Sequence, residues 1–244
     1  MMKKLISVLL GVMIVSGAAA QDSIALRKHY LKVYKQALNY NDANAAINSL
    51  QNYIAVDNNI TYKDTLSMLY FNVKSYFSSL LLAEEVYKAA PENVTAMART
   101  AECYGELGDY KTAIELYEKV VPKTKNPYQI YKMGVCQYQL QRTAECEASA
   151  RAVLADTSSK RIGVNFTMAD GNQQAVPVDA AAANLLGVLK MDAKNFAGAK
   201  ADFQQALKLF PDFAGAKGNL EVCDRNLKAG AKTLGKPPVK PKGK

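Results

Sequence analysis

Histidine is almost missing from this 244-residue chain: His29 is the only one. No second ligand stands at metal-site spacing from it, so it reads as a helix-surface residue and no metal site is assigned. A glycine-rich phosphate loop, a nucleophile elbow and a paired-carboxylate motif are missing as well. The acids Glu84, Glu85, Glu115 and Glu118 have lysines beside them, the pattern of a solvated helix face. The sequence therefore offers no catalytic residue and no cofactor. Apolar runs long enough to span a bilayer are lacking too, since Leu5–Val15 extends for only eleven residues.

That short run sits in a recognisable setting. Lys3 and Lys4 precede it, and Ala18, Ala19 and Ala20 follow, the small-residue pattern of a cleavable export signal. No cysteine follows Ala20, which argues against a lipid anchor. Residues 1–20 are expected to be removed, leaving a mature chain from Gln21 that is periplasmic or secreted. The net charge of +9 is local rather than general. Losing Lys3 and Lys4 lowers +9 to +7, and the six lysines Lys228, Lys232, Lys236, Lys240, Lys242 and Lys244 lower it further to +1. The body is close to neutral, which speaks against nucleic acid as a partner. Residues 230–244, rich in Lys, Pro and Gly, bury almost nothing and are expected to be disordered.

What fills the body is a repeat. GELGDYKTAIELYEKVV, residues 105–121, places Gly108-Asp109-Tyr110 at a turn, then Ala113, Tyr117 and Val120 along a helix. NLLGVLKMDAKNFAGAKADFQQALKLFPDF repeats the scheme with Leu186-Gly187, Ala199, Phe203, Ala206 and Pro211. This signature resembles the tetratricopeptide repeat, a 34-residue helix–turn–helix unit. In phase with it, residues 60–93 carry Leu66, Tyr70, Tyr76, Ser79, Ala83, Val86 and Pro91. Residues 27–59 carry Tyr30, Val33, Ala46, Leu50 and Tyr53, and residues 127–160 carry Met133-Gly134, Cys146, Ala150, Val153 and Leu154. The resemblance implies an all-α solenoid: units one to four over 21–160, a fifth with a capping helix over 180–229, and an insertion at 161–179 between them. One unit cannot bury its apolar face alone, so stacking supplies the core.

The repeat also places the four cysteines. Cys103, Cys136 and Cys223 share one point of the first helix (A) of their units, and Cys146 takes the small position of a second helix (B). They read as small hydrophobes, because equivalent sites on neighbouring repeats stand about 10 Å apart, beyond disulfide reach. Cys136 and Cys146 are the least implausible pair for a bridge. Three Asn-x-Thr triplets, at Asn59, Asn93 and Asn165, read as turn and strand residues of a bacterial-type exported protein.

The resemblance further implies where a partner would touch. In this family the concave positions of the A helices hold the ligand. They fall on Leu31, Lys35 and Leu38 in the first unit, and on Asp64, Met68 and Phe71 in the second. The third offers Ala98, Glu102 and Gly105, the fourth Tyr128, Tyr131, Val135 and Tyr138, and the fifth Asn184, Val188 and Met191. Such a surface suits a peptide or protein segment, although any of these side chains could instead serve helix packing. The lysine-and-asparagine clamp for a chaperone tail is not present, since Asp64 and Met68 follow Lys35.

RIGVNFTMADGNQQAVPVDA, residues 161–180, interrupts the helical pattern. Ile162, Val164, Phe166 and Met168 alternate with Gly163, Asn165 and Thr167, and Asp170-Gly171 is a turn signal. Val176 and Val178 suit a returning strand, with Pro177 marking its edge. A lone hairpin is marginal in water, so its Val, Phe and Met face must rest on the array. It is expected beside the Tyr128–Tyr138 groove, as part of the binding surface, with an outer edge able to add a strand to a partner's sheet, or merely as a cover over a repeat junction. The expected function is a non-enzymatic exported adaptor that binds a protein or peptide in its concave groove. The alternative is an envelope-associated protein held to an anionic surface by its basic tail, a contact that salt would weaken.

Overall fold

The computed structural model describes residues 22–168 and 170–234, so the expectations for residues 1–20 and for 235–244 of the tail lie outside the described residues. The described chain is helical, with one two-stranded sheet. It falls into two compact units divided between Gly108 and Asp109.

The first unit holds α1 (22–39), α2 (Ala43–Val56), α3 (Ile60–Asn72), α4 (Tyr76–Ala89) and α5 (Val94–Glu106). Asx side chains start three of these helices. Asp42 accepts the N–H of Ala45, Asn59 those of Thr61 and Tyr62, and Asn93 that of Ala96. Each cap satisfies a donor that the helix leaves open. Asn59 and Asn93 are thus turn residues, as their position in the repeat suggests. The core gathers Ala37, Ala46, Ile47, Leu50, Leu66 and Leu69. Ser67 and Ser79, at the close-approach point of α3 and α4, bond reciprocally. Each hydroxyl donates to the other's backbone carbonyl, at 2.9 and 2.8 Å.

The second unit holds α6 (Tyr110–Thr124), α7 (Pro127–Gln139), α8 (Thr143–Ala155), the hairpin, α9 (Val178–Asp192), α10 (Phe196–Leu209) and α11 (Ala214–Leu234). Its main core joins Tyr131, Cys146, Ala150 and Val153 to Val178, Ala180–Ala183 and Phe213. A smaller cluster packs Ala199, Phe203 and Cys223. Residues 178–187 of α9 are all buried, so this part of the helix is enclosed on every side.

The turn from A helix to B helix recurs with one geometry. Asn41, Lys74, Gly108, Gln141 and Lys194 all have positive φ, between 50° and 90°. At the four non-glycine turns the N–H that follows closes on a carbonyl five residues back, as from Asp42 to Ala37 and from Asn195 to Lys190, both at 2.8–2.9 Å. This satisfies carbonyls that the helix end leaves open. Only Gly108 is a glycine, so four of the five turns force a side chain into the left-handed region.

All four cysteines are buried free thiols. Burial pushes Cys103 and Cys146 up to about 11, and Cys103 also donates to the Ser79 hydroxyl at 3.3 Å.

The hairpin pairs β1 (Gly163–Thr167) with β2 (Gln173–Pro177) antiparallel, with Val164 opposite Val176 and Phe166 opposite Gln174. Gly171 takes a φ of 83°, and the Asp170 carboxylate accepts the Asn172 N–H, so the Asp-Gly signal does make the turn. Pro177 lies opposite Gly163, where its missing N–H breaks no ladder bond. Val178 departs from expectation: it opens α9 instead of continuing the strand. The Ala-rich run behind it favours helix, and its N–H still reaches the Ile162 carbonyl at 2.8 Å.

Candidate functional site

Of the nine concave positions of the first unit, three are exposed and six half-buried. On α1, Leu38 is 49 % exposed and Lys35 is exposed, while Leu31 is half-buried against the core. On α3, Met68 is 41 % exposed, and Phe71 leans on Tyr76 with ring centroids 5.2 Å apart. Asp64 meets Arg99 of α5, carboxylate to guanidinium at 3.4 Å, so it is a partnered charge. Ala98, Glu102 and Gly105 are half-buried. The sequence reading missed three groups here. Lys28 and Lys32 line a shallow depression on α1 with Leu31 and Lys35. Arg99 lies one residue beyond the expected concave position. The Lys28, Lys32, Lys35 spacing, one stripe of a helix, was the available signal.

In the second unit much of the corresponding row turns inward. Tyr131 is 6 % exposed and belongs to the core, where burial raises its phenol above the usual range. Asn184 is 8 % exposed and accepts the Asn219 amide at 3.1 Å. Both were expected at the binding surface, but α9 is enclosed by α7, α8, α10, α11 and the hairpin, which leaves no room for a ligand there. Val135 packs against the main core, and Val188 and Met191 against the Phe203 cluster. Tyr128 is half-buried.

Tyr138 is the polar exception. Its hydroxyl donates to the Asp192 carboxylate at 2.8 Å, and that bond, with burial second, pushes the phenol up to about 12. Gln141, Thr143, Leu189 and Ala193 complete a shallow hollow around the pair.

The hairpin does not border that hollow. Val164 and Val176 enter the main core, and Phe166 meets Phe213 edge-on at 4.9 Å. Gln174 spans the α10–α11 turn, donating to the Asp212 carbonyl at 2.6 Å and accepting the Ala214 N–H at 3.1 Å. Burying Val176 fully contributes about 1.5–3 kcal/mol, which holds a hairpin that would be marginal alone. It therefore sits at the start of α9, whereas Asp192 ends that helix about 21 Å further along its axis. Met168 is half-buried near the hairpin tip. Among the described residues no cluster of three His, Cys, Asp or Glu side chains could hold a metal ion.

The chain's similarities agree with this architecture. Residues 180–213 match the model of the tetratricopeptide repeat, and residues 72–153 match that of anaphase-promoting complex, cyclosome, subunit 3. No curated protein matches the sequence. Among solved structures, a tetratricopeptide repeat protein from Parabacteroides merdae superposes with a TM-score of 0.65 at 13 % identity, over 86 % of this chain and 77 % of that one. MamA from Desulfovibrio magneticus RS-1 gives 0.62 at 15 %, over 78 % and 97 %. YrrB, a tetratricopeptide-repeat protein with an unusual peptide-binding site, gives 0.60 at 16 %, over 78 % and 89 %. These identities carry the fold, the family models carry the repeat, and the chain is a tetratricopeptide-repeat protein.

Proposed function

We propose that this protein is a non-enzymatic adaptor that holds a peptide or protein segment against the concave row of its first unit. The observation that supports this is the exposure of Leu38 and Met68 beside half-buried Phe71 and charged Lys35, on the helices where the family presents its ligand surface. Apolar side chains left open together on such a row suit an interaction site. The corresponding row of the second unit has no exposed member: Tyr131 and Asn184 are buried, and Tyr128, Val135, Tyr138, Val188 and Met191 are half-buried. The export reading rests on residues 1–20 and places the adaptor in the periplasm or outside the cell.

Affinity capture from the cell-envelope fraction tests the reading. Wild-type bait is compared with Met68→Glu, with Leu38→Glu and with Leu81→Glu, the last on α4, a B helix, where Leu81 is 51 % exposed. A protein held by wild type and Leu81→Glu but lost by the other two is the expected result. A partner that all three variants retain refutes the first-unit row as the site.

A further inference from the structure

The outer edge of β1 is a built and unpaired template. In the ladder, Ile162 and Met168 turn toward β2: the Val178 N–H donates to the Ile162 carbonyl, and the Met168 N–H to the Asn172 carbonyl, both at 2.8 Å. Residues alternate along a strand, so Gly163, Asn165 and Thr167 turn their N–H and C=O groups away from β2. All three are exposed, and among the described residues no hydrogen bond reaches those backbone groups. A side chain on Gly163 would meet nothing within 4 Å.

The two edges of the hairpin differ. On β2, Pro177 removes one outward donor, a common way of blunting an edge. On β1 nothing does so: the edge has no proline and no charged side chain. It is also rigidly seated, through Phe166 on Phe213 and Gln174 across the α10–α11 turn.

The charges flanking this edge complement themselves. Lys160 and Arg161 precede β1, exposed and without an ion pair among the described residues. Asp170 follows it, also exposed, with its carboxylate bonded only within the turn, to Asn172. Antiparallel pairing of two copies about Asn165 sets Gly163 opposite Thr167 and Asn165 opposite itself. About six hydrogen bonds then form, two per pair. The same register brings the basic end of each strand to the acidic end of the other, the self-complementarity that a two-fold interface needs.

We propose that β1 is a self-association edge, on which a second copy of this chain adds its own β1 to give a continuous four-stranded sheet. An edge of five residues extends about 17 Å, small against the roughly 800 Å² per partner of a standard interface. The dimer is therefore weak, with a Kd on the order of 100 µM.

Sedimentation velocity of the purified protein from about 5 to about 500 µM tests it, with amide hydrogen exchange at both extremes. The wild type should shift from monomer to dimer across that range, with slower exchange at Asn165 and Thr167 while Val164 and Phe166 stay unchanged. Asn165→Pro removes an outward N–H that the hairpin ladder does not use, so it should leave the fold intact and weaken the dimer about tenfold. Lys160→Glu should weaken it about threefold. A monomer at every concentration overturns the proposal. So does a dimer that Asn165→Pro leaves intact, or one whose Asn165 and Thr167 amides exchange as in the monomer.

Discussion

Replacing Gly187 with alanine should destabilise this protein, while the same change at Gly134 should not. Both glycines hold the close-approach point of an A helix, in α9 and α7, and both lie in the second unit, so one unfolding transition reports on each. A methyl group on Gly187 would stand 2.5 Å from the Phe203 ring, closer than any real contact. The ring is fully buried among Ala199, Cys223, Val188 and Met191, so it has nowhere to go. At so short a distance the forced methyl costs the upper part of the usual overpacking range, about 2–3 kcal/mol, and alanine's better helix propensity returns about 1. The expected net loss is about 1–2 kcal/mol, or roughly 2–8 °C in Tm for a chain of this size.

At Gly134 the new methyl would meet Ser149 Cβ at 3.2 Å and Leu185 at 3.7 Å. The position that Phe203 occupies in the fifth unit is Ala150 in the fourth. A few tenths of an ångström of give suffices there, so the propensity gain is mostly kept, with an expected change between about 0 and +1 kcal/mol. Ser67 facing Ser79 shows a β-carbon tolerated at the same point in the first unit. Urea and thermal unfolding followed by circular dichroism measure both variants. Phe203→Leu closes a double-mutant cycle, in which the added cost of Gly187→Ala should fall by at least about 1 kcal/mol. Gly187→Ala as stable as Gly134→Ala, or an additive cycle, would refute steric pairing of Gly187 with Phe203.

Two further outcomes follow from local geometry. Lys194 holds a φ of 58° at an A–B turn, so Lys194→Gly should stabilise by about 0.5–1 kcal/mol, whereas Gly108→Ala at 90° should lose about 1–2, both read as urea midpoints. Tyr138 titrates above its usual 10.0 in the folded chain, at about 12, so the neutral phenol is favoured by folding. The stability it adds is complete below pH 10 and lost between pH 10 and 12. Phenolate absorbance, taken as the difference from Tyr138→Phe because the chain has 14 tyrosines, should show this titration. Asp192→Asn should move it back toward 10.0, and an unmoved curve would dismiss the hydrogen bond as its cause.

The repeat was legible because its marks are packing marks. Gly187, Ala199, Phe203 and Pro211 are set by contacts within one unit, and such short-range constraints leave a fixed spacing in the sequence. The hairpin was legible for a similar reason, since period-two alternation and an Asp-Gly turn are local. Its seat was not. Gln174 reaches Asp212 and Ala214, and Phe166 reaches Phe213, across some 40 residues with no pattern to announce the pairing.

The concave surface was legible only halfway, because α9 is enclosed by its neighbouring helices and the hairpin together. Family positions assume a regular stack, in which each A helix shows one face to the groove. The insertion closes over the start of α9 and the α10–α11 turn, and with α7, α8 and α11 it encloses the alanines of α9. Tyr131 and Asn184 then become core, although their repeat positions are correct. The first unit has no such insertion, and its row stays open at Leu38 and Met68. Val164, Val176 and Phe166 pack into the core that also takes in Tyr131, and the free edge of β1 is left facing outward.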